Sequence, residues 1–370
     1  GDIIDFTWDR ALEFALAYGI FDLDLYSELN TEDFLRDHIA RVSYEVLKAK
    51  SKYSEWTLIE ELIQRGVVER TPAENVGLLD GYTFSNTDVY IGHSITHIMD
   101  VLGYSDRTQF SRYGFDWYIY DSDYSKYLQV GIVDDTVTAV LGASYGYSYE
   151  RGIAVGMLQS DLETAYSEDP LTEYRKKIPN ENTVVVFSLD HEHRSTYRTS
   201  LGDYITYYFD SYDNNRIVAI LVVDNIVEEK TIEGFPLDAD DLFYKALEIQ
   251  VYGLTNAIRV QKNLPPLLWD QDIEVVASGH SRDMSDRDYF SHYSPEGAGV
   301  GDRLAAAGVS YVSAGENIAY GYRDPVHMVN DWLNSITGHR EILLGNFDNL
   351  GVGIWINEDN RMFGTQNFTR

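Results

Sequence analysis

Apolar positions recur at helical spacing through the last third of the chain. Phe243, Leu247, Val251, Leu254 and Ile258 share one face of a helix that "NLPP" ends. A second helix is predicted near Ile273–Asp288, with Val276, Ala277, His280 and Met284 turned inward. Asp324 and Pro325 supply an N-cap and a first-turn proline for a third, carrying Val329, Trp332 and Leu333. The chain then alternates through "GVGIWI" and "MFGTQNF", two strands around the turn "NEDN". Helices and strands in this order imply an α-β-α layered domain over residues 242–370.

Ahead of it, residues 86–225 contain an internal repeat. "VYIGHSITHIMDVLG" is echoed by "IAVGMLQSDLETAYS", with Gly92 matching Gly156. "DDTVTAVL" is echoed by "NNRIVAIL", each a strand behind a turn-forming pair. Aromatic stretches such as "FDWYIYDSDY" and "YITYYFDSY" suit half-exposed antiparallel strands. The expectation is two tandem α+β units, making the whole chain α+β. A polar linker with Gly and Pro at 226–241 follows. Residues 1–82 read as helical: Trp8, Ala11, Leu12, Ala15 and Leu16 form one stripe, and Leu35, Ile39, Val42 and Val46 another. The longest strongly apolar runs, such as "IVAILVV", are too short to cross a bilayer.

The 370 residues carry a net charge of −31, of which −25 falls on residues 1–244 and −6 on 245–370. Such a field repels nucleic acid, which requires phosphate neutralisation by Lys and Arg. The chain has no cysteine, so disulfides, thiolate metal sites and Cys nucleophiles are excluded.

Three residues of the last domain stand out as chemistry: His292 in "DYFSHYSPEG", Glu316 in "SAGENIAYG" and His339 in "SITGHRE". Each is expected at an element end or in a Gly-flanked loop. Two imidazoles and a carboxylate make a ligand set for a divalent metal, zinc first, leaving a fourth position for water or substrate. The same three could instead form a metal-free cleft held by hydrogen bonds, with Gly315 allowing a close approach and Asn317 holding a turn. Ser335, four residues before His339, raises a nucleophile–base alternative, although no acid partner is evident. His191 and His193 in "DHEH" would share a face if extended, as a solvated loop or a metal pair. His280 and Met284 read as core, and His38, His93, His97 and His327 have no constellation around them.

The segments "NAIRVQKNLPPLLWD", "ASGHSRDMSDRDYFSHYSPEG", "GENIAYG", "VNDWLNSITGHREILL" and "NLGVGIWI…MFGTQNF" stand in the order typical of the bacterial branch of the CAP superfamily. These SCP-like domains are shared by cysteine-rich secretory proteins, antigen 5 and pathogenesis-related 1 proteins. The tandem units before them resemble the CAP-associated N-terminal domain. The first 82 residues resemble a surface-layer-homology module lacking its usual Gly/Pro-rich loop, or else an ordinary helical hairpin. The resemblance implies that His292 and His339 are the family's two cavity histidines and Glu316 the glutamate of its "GEN" motif. Ser335 stands where many relatives carry a second glutamate, so Glu316 is the only acid expected in the cleft. It further implies an exported, extracellular or envelope-associated protein. Its cleft would take a small-molecule, lipid or peptide ligand, with a cell-wall polymer as a partner of the N-terminal region. A metal-dependent, peptidase-like hydrolase using the same three residues is the alternative, and a purely architectural surface protein a third.

Overall fold

Strand pairs introduced by left-handed turns build the first half of the fold. In this computed structural model the described residues are 88–177, 184–189, 191–231 and 240–370, with five positions between 42 and 58. Apart from Val42 and Val46, which are helical, the stripes expected in residues 1–82 lie outside the described residues. Residues Phe84–Arg370 form one compact unit.

That unit begins with α1 (Ile95–Leu102), β1 (Arg107–Phe110), β2 (Asp116–Tyr120), β3 (Leu128–Val133) and β4 (Thr136–Gly142). Then come α2 (Gln159–Ala165), the hairpin of β5 (Glu173–Lys177) with β6 (Val184–Ser188), β7 (Arg194–Arg198), β8 (Tyr204–Asp210) and β9 (Arg216–Val223). Asp134 and Asp135 turn β3 into β4, and Asn214 and Asn215 turn β8 into β9, all four at positive φ. Asn and Asp tolerate that region better than other side chains. The two copies of the repeat are built alike. Gly92 at φ 90° donates to Val137 O at 2.9 Å, and Gly156 at φ 99° donates to Ile217 O at 2.8 Å.

The two repeats do not remain separate units. β4 pairs antiparallel with β9, fusing them into a seven-stranded sheet in the order β1-β2-β3-β4-β9-β8-β7. Nor are the aromatic strands half exposed: six of the seven residues of β8 are buried. One sheet face, with Val130, Val140, Ile205 and Ile220, packs on Ile98 of α1 and Leu162 of α2. The other, with Trp117, Leu141, Tyr208 and Leu221, joins a core shared with residues beyond 240. Alternation signals one wet face only when nothing covers the second. Within the stretch expected as linker, residues 226–231 belong to helix α3 (Asn225–Thr231).

The remaining elements are α4 (Asp241–Gln261), β10 (Leu268–Trp269), α5 (Gln271–Asp286), α6 (Val300–Ala306), β11 (Ala314–Tyr322), α7 (Pro325–Leu333), α8 (His339–Leu343), β12 (Asn349–Ile356) and β13 (Met362–Thr369). The strands order as β10-β12-β13-β11. Leu350, Val352 and Ile354 of β12 face the core of α4 and α7. Gly351 and Gly353, on the opposite face, let α5 lie directly on the strand. A Cβ at Gly353 would sit 2.0 Å from Ser278 N. The result is the expected α-β-α sandwich. Asp324 caps α7 by accepting from Val326 N at 2.7 Å, with Pro325 in the first turn.

Candidate functional site

Glu316 does not sit in a loop. It lies within edge strand β11, paired with Asn367 of β13. Strand alternation puts Glu316 and Ile318 on the face of α5, where Ile318 packs on Met284. Gly315 needs no unusual backbone there, but a Cβ would come within 2.9 Å of both Ile342 Cδ1 and Phe347 Cζ, so only glycine lets α8 approach. Asn317, on the other face, holds no turn. It donates to His339 O at 3.1 Å and to Gln366 Oε1 at 3.2 Å, fixing the start of α8 to the sheet.

The structure places His292 and Glu316 in direct contact, with His292 Nδ1 2.9 Å from Glu316 Oε1. The other carboxylate oxygen accepts from Arg303 Nη2 at 2.5 Å. Arg303 also donates to the backbone oxygens of His292 and Ala298, at 3.1 and 2.8 Å, clamping the loop that carries the histidine. His280, buried as expected, adds a second tie by donating Nε2–H to Ser291 O at 3.0 Å. His339 begins α8 after Gly338, whose φ of 103° only glycine adopts easily. Its ring centroid lies 6.3 Å from that of His292, and its Nδ1 is 2.9 Å from Ser335 Oγ. Burial, and then the neighbouring His292, lower the pKa of His339 and favour its neutral ring.

A chain of contacts therefore runs Ser335–His339, then His292–Glu316–Arg303, with a gap between the two rings. Both imidazoles use Nδ1 against an oxygen, which leaves Nε2 on each as the free donor atom. Metal-binding histidines are held in this way, their second nitrogen bonded to a carboxylate or another oxygen. The donor chemistry thus fits a divalent cation held by His292 and His339, with Glu316 behind His292 rather than in the coordination shell. Among the described residues, no group of three or more His, Asp or Glu side chains converges as a metal-binding set.

Beside His339 opens a cleft of about 680 Å³ whose walls come from both halves of the unit. Phe290, Ile318 and Trp332 line one side, and the loop of His191 and His193 with Tyr212 lines another. His191 Nε2 lies 3.5 Å from Asp331 Oδ2, and Arg194 donates to Asp331 Oδ1 at 3.3 Å. His191 of "DHEH" thus meets a carboxylate of the C-terminal domain across a domain boundary. The acids that border this cleft are Asp331 and Glu192, and Glu316 is not among its lining residues. Arg303, Asp331 and Tyr212 carry no signal in the sequence, because their roles depend on contacts between distant segments.

A family profile described as the cysteine-rich secretory protein family matches residues 252–368, and one described as CAP-associated N-terminal matches residues 91–232. The "Uncharacterized membrane protein YlbC" of Bacillus subtilis is 30% identical over 297 residues, covering 76% of this chain and 82% of that protein. The chain belongs to the CAP, or cysteine-rich secretory protein, family. This CAP protein is also 43% identical over 109 residues to the "Uncharacterized protein YkwD" of B. subtilis, covering 29% of this chain but only 42% of YkwD. A crystal structure of an extracellular protein containing a SCP domain, from Bacillus anthracis, matches with a TM-score of 0.66 at 30% identity. That match covers 76% of this chain and 93% of the other. A Staphylococcus aureus cysteine-rich secretory protein shares the fold at 18% identity and a TM-score of 0.60, over 76% and 93% of the two chains. No described helix is long and apolar enough to cross a membrane.

Proposed function

We propose that this CAP protein works outside the cell or at its envelope, as a ligand-binding module whose cleft ends at His339, beside His292. The extracellular description of the B. anthracis neighbour supports the location. The observation that carries the reading is the commitment of both Nδ1 atoms, to Glu316 and to Ser335. It leaves both Nε2 atoms uncommitted, that of His339 on a cleft lined by Phe290, Ile318 and Tyr212 and that of His292 on the neighbouring ring. A ligand with an apolar body and a polar end, a lipid or a peptide, matches that lining. A divalent cation, zinc first, would sit at the imidazole end and polarise whatever oxygen the ligand presents.

The hydrolytic alternative calls on Glu316 as metal ligand or base, and Glu316, Asp331 and Glu192 are each already engaged. Glu316 is engaged by Arg303 and His292, Asp331 by Arg194, and Glu192 by His193 at 3.1 Å. Binding without turnover is therefore the reading the geometry favours.

Zinc titrated calorimetrically into wild type, His292→Ala, His339→Ala and Glu316→Gln tests it. Binding is expected in wild type, lost in both histidine variants, and weakened about tenfold or more in Glu316→Gln, where the orienting charge is gone. Equal zinc binding by wild type and His292→Ala would overturn the metal assignment.

A further inference from the structure

A second cavity, of about 460 Å³, lies on the far side of Asp331 and Tyr322 from the His339 cleft. Its floor is the seven-stranded sheet, through Thr196, Thr206 and Leu221. Its roof comes from the CAP side, through Tyr320, Asp324 and His327. A volume in the range of roughly 300–1,000 Å³ is typical of small-ligand sites.

The charged groups in its walls are already matched. Arg112 donates to Asp324 Oδ2 at 2.6 Å and lies 3.9 Å from Glu228, and Arg194 pairs with Asp331. Tyr113 donates to Asp324 at 3.0 Å, and the hydroxyls of Thr196 and Thr206 bond each other at 2.9 Å. An ionic ligand would have to compete with one of these pairs, which is costly in a desolvated site. A hydroxyl both donates and accepts, so it can add to an existing pair without breaking it. What remains unsatisfied is neutral. His327 lines the cavity with no hydrogen bond to either ring nitrogen among the described residues, and burial pushes its pKa down to about 3. The guanidinium of Arg194, paired with Asp331 through Nη1, keeps further N–H groups that can donate to a neutral oxygen. The rings of Tyr174, Tyr320 and Tyr322 give the cavity apolar faces, while those of Tyr113 and Tyr204 carry the guanidinium groups of Arg112 and Arg198.

We infer that this interdomain cavity is a second binding site, distinct from the histidine cleft, for a neutral, hydroxyl-rich ligand on an apolar frame, the chemistry of a short saccharide. The apolar face of a sugar ring lies on the tyrosines, and its hydroxyls reach His327, Arg194 and the Arg112–Asp324 pair. The site exists only because the sheet and the CAP domain meet.

The test uses the full chain with chitotriose and maltotriose as probes, read by ligand-observed NMR and calorimetry. Thr206→Trp fills the cavity from the sheet side. His327→Ala removes the unpartnered ring from the CAP side and keeps the test open if the first variant fails to fold. At least one trisaccharide is expected to bind wild type and His339→Ala equally, with tenfold or greater loss in His327→Ala and in folded Thr206→Trp. No binding of either sugar at millimolar concentration overturns the proposal. So does binding that His327→Ala leaves unchanged, binding that His339→Ala abolishes, or binding only of a neutral peptide such as N-acetyl-tetra-alanine amide.

Discussion

The guanidinium of Arg303 and the carboxylate of Glu316 meet at 2.5 Å, with their side chains only 14% and 3% exposed. Glu316 is thereby balanced by a cation from a different element, and its second oxygen is left to orient His292. Breaking a buried pair from one side leaves an uncompensated charge. Arg303→Ala is expected to cost about 3 kcal/mol in urea unfolding. The double variant Arg303→Met/Glu316→Leu should recover most of that loss. An unchanged midpoint in Arg303→Ala would show that the pair carries no such weight.

Asp210, fully buried at the end of β8, receives Arg340 through two bonds at 2.8 and 3.1 Å and Lys262 at 2.6 Å. One carboxylate of the N-terminal sheet thus neutralises two cations of the CAP domain. Asp210→Ala should destabilise by about 3–5 kcal/mol and loosen that junction. The check is calorimetric unfolding with limited proteolysis: a second transition and new cleavage near residue 240 are expected.

Gly353 is the point at which α5 touches the sheet, and a Cβ there would meet backbone atoms of Ala277 and Ser278 at 2.2 and 2.0 Å. Backbone cannot swing aside as a side-chain tip can. Gly353→Ala is therefore expected to cost at least about 3 kcal/mol, the upper range for overpacking. Gly315→Ala, which meets only the ends of Ile342 and Phe347, should cost less. Thermal unfolding of the two variants side by side orders them.

Burial, reinforced by Glu274, raises the Glu248 carboxyl from 4.5 to about 7. A group raised in the fold binds its proton more tightly there than in the unfolded chain. Its favourable contribution is complete below about pH 4.5 and is lost as pH rises through 7. Gln at this position keeps an oxygen to accept from Ser278 Oγ and Ile354 N. Glu248→Gln should match wild type near pH 4 and exceed it by about 1–3 kcal/mol at pH 8. A stability difference independent of pH would contradict this origin.

Much of the fold was legible because it is local. The stripe Phe243–Leu247–Val251–Leu254–Ile258 is buried along α4, Asp324 and Pro325 start α7, and the pairs Asp134–Asp135 and Asn214–Asn215 make their hairpins. Spacing, capping and turn chemistry are properties of neighbouring residues, so the chain carries them openly. The motifs around His292, Glu316 and His339 likewise identified the family.

What the tertiary structure alone decided involves segments far apart in the chain. The pairing of β4 with β9 merged two repeats into one sheet, and packing against α4 and α7 buried its second face. Glu316 reads as a loop acid because glycine and asparagine flank it, yet it lies in a strand whose partner, Asn367, is 51 residues away. Its countercharge Arg303, the Asp331 contact with His191, and the cavity under His327 arise only when separate elements meet. A sequence records what each residue prefers beside its neighbours. Which charge is matched, and which cavity is enclosed, depends on distances that only the folded chain sets.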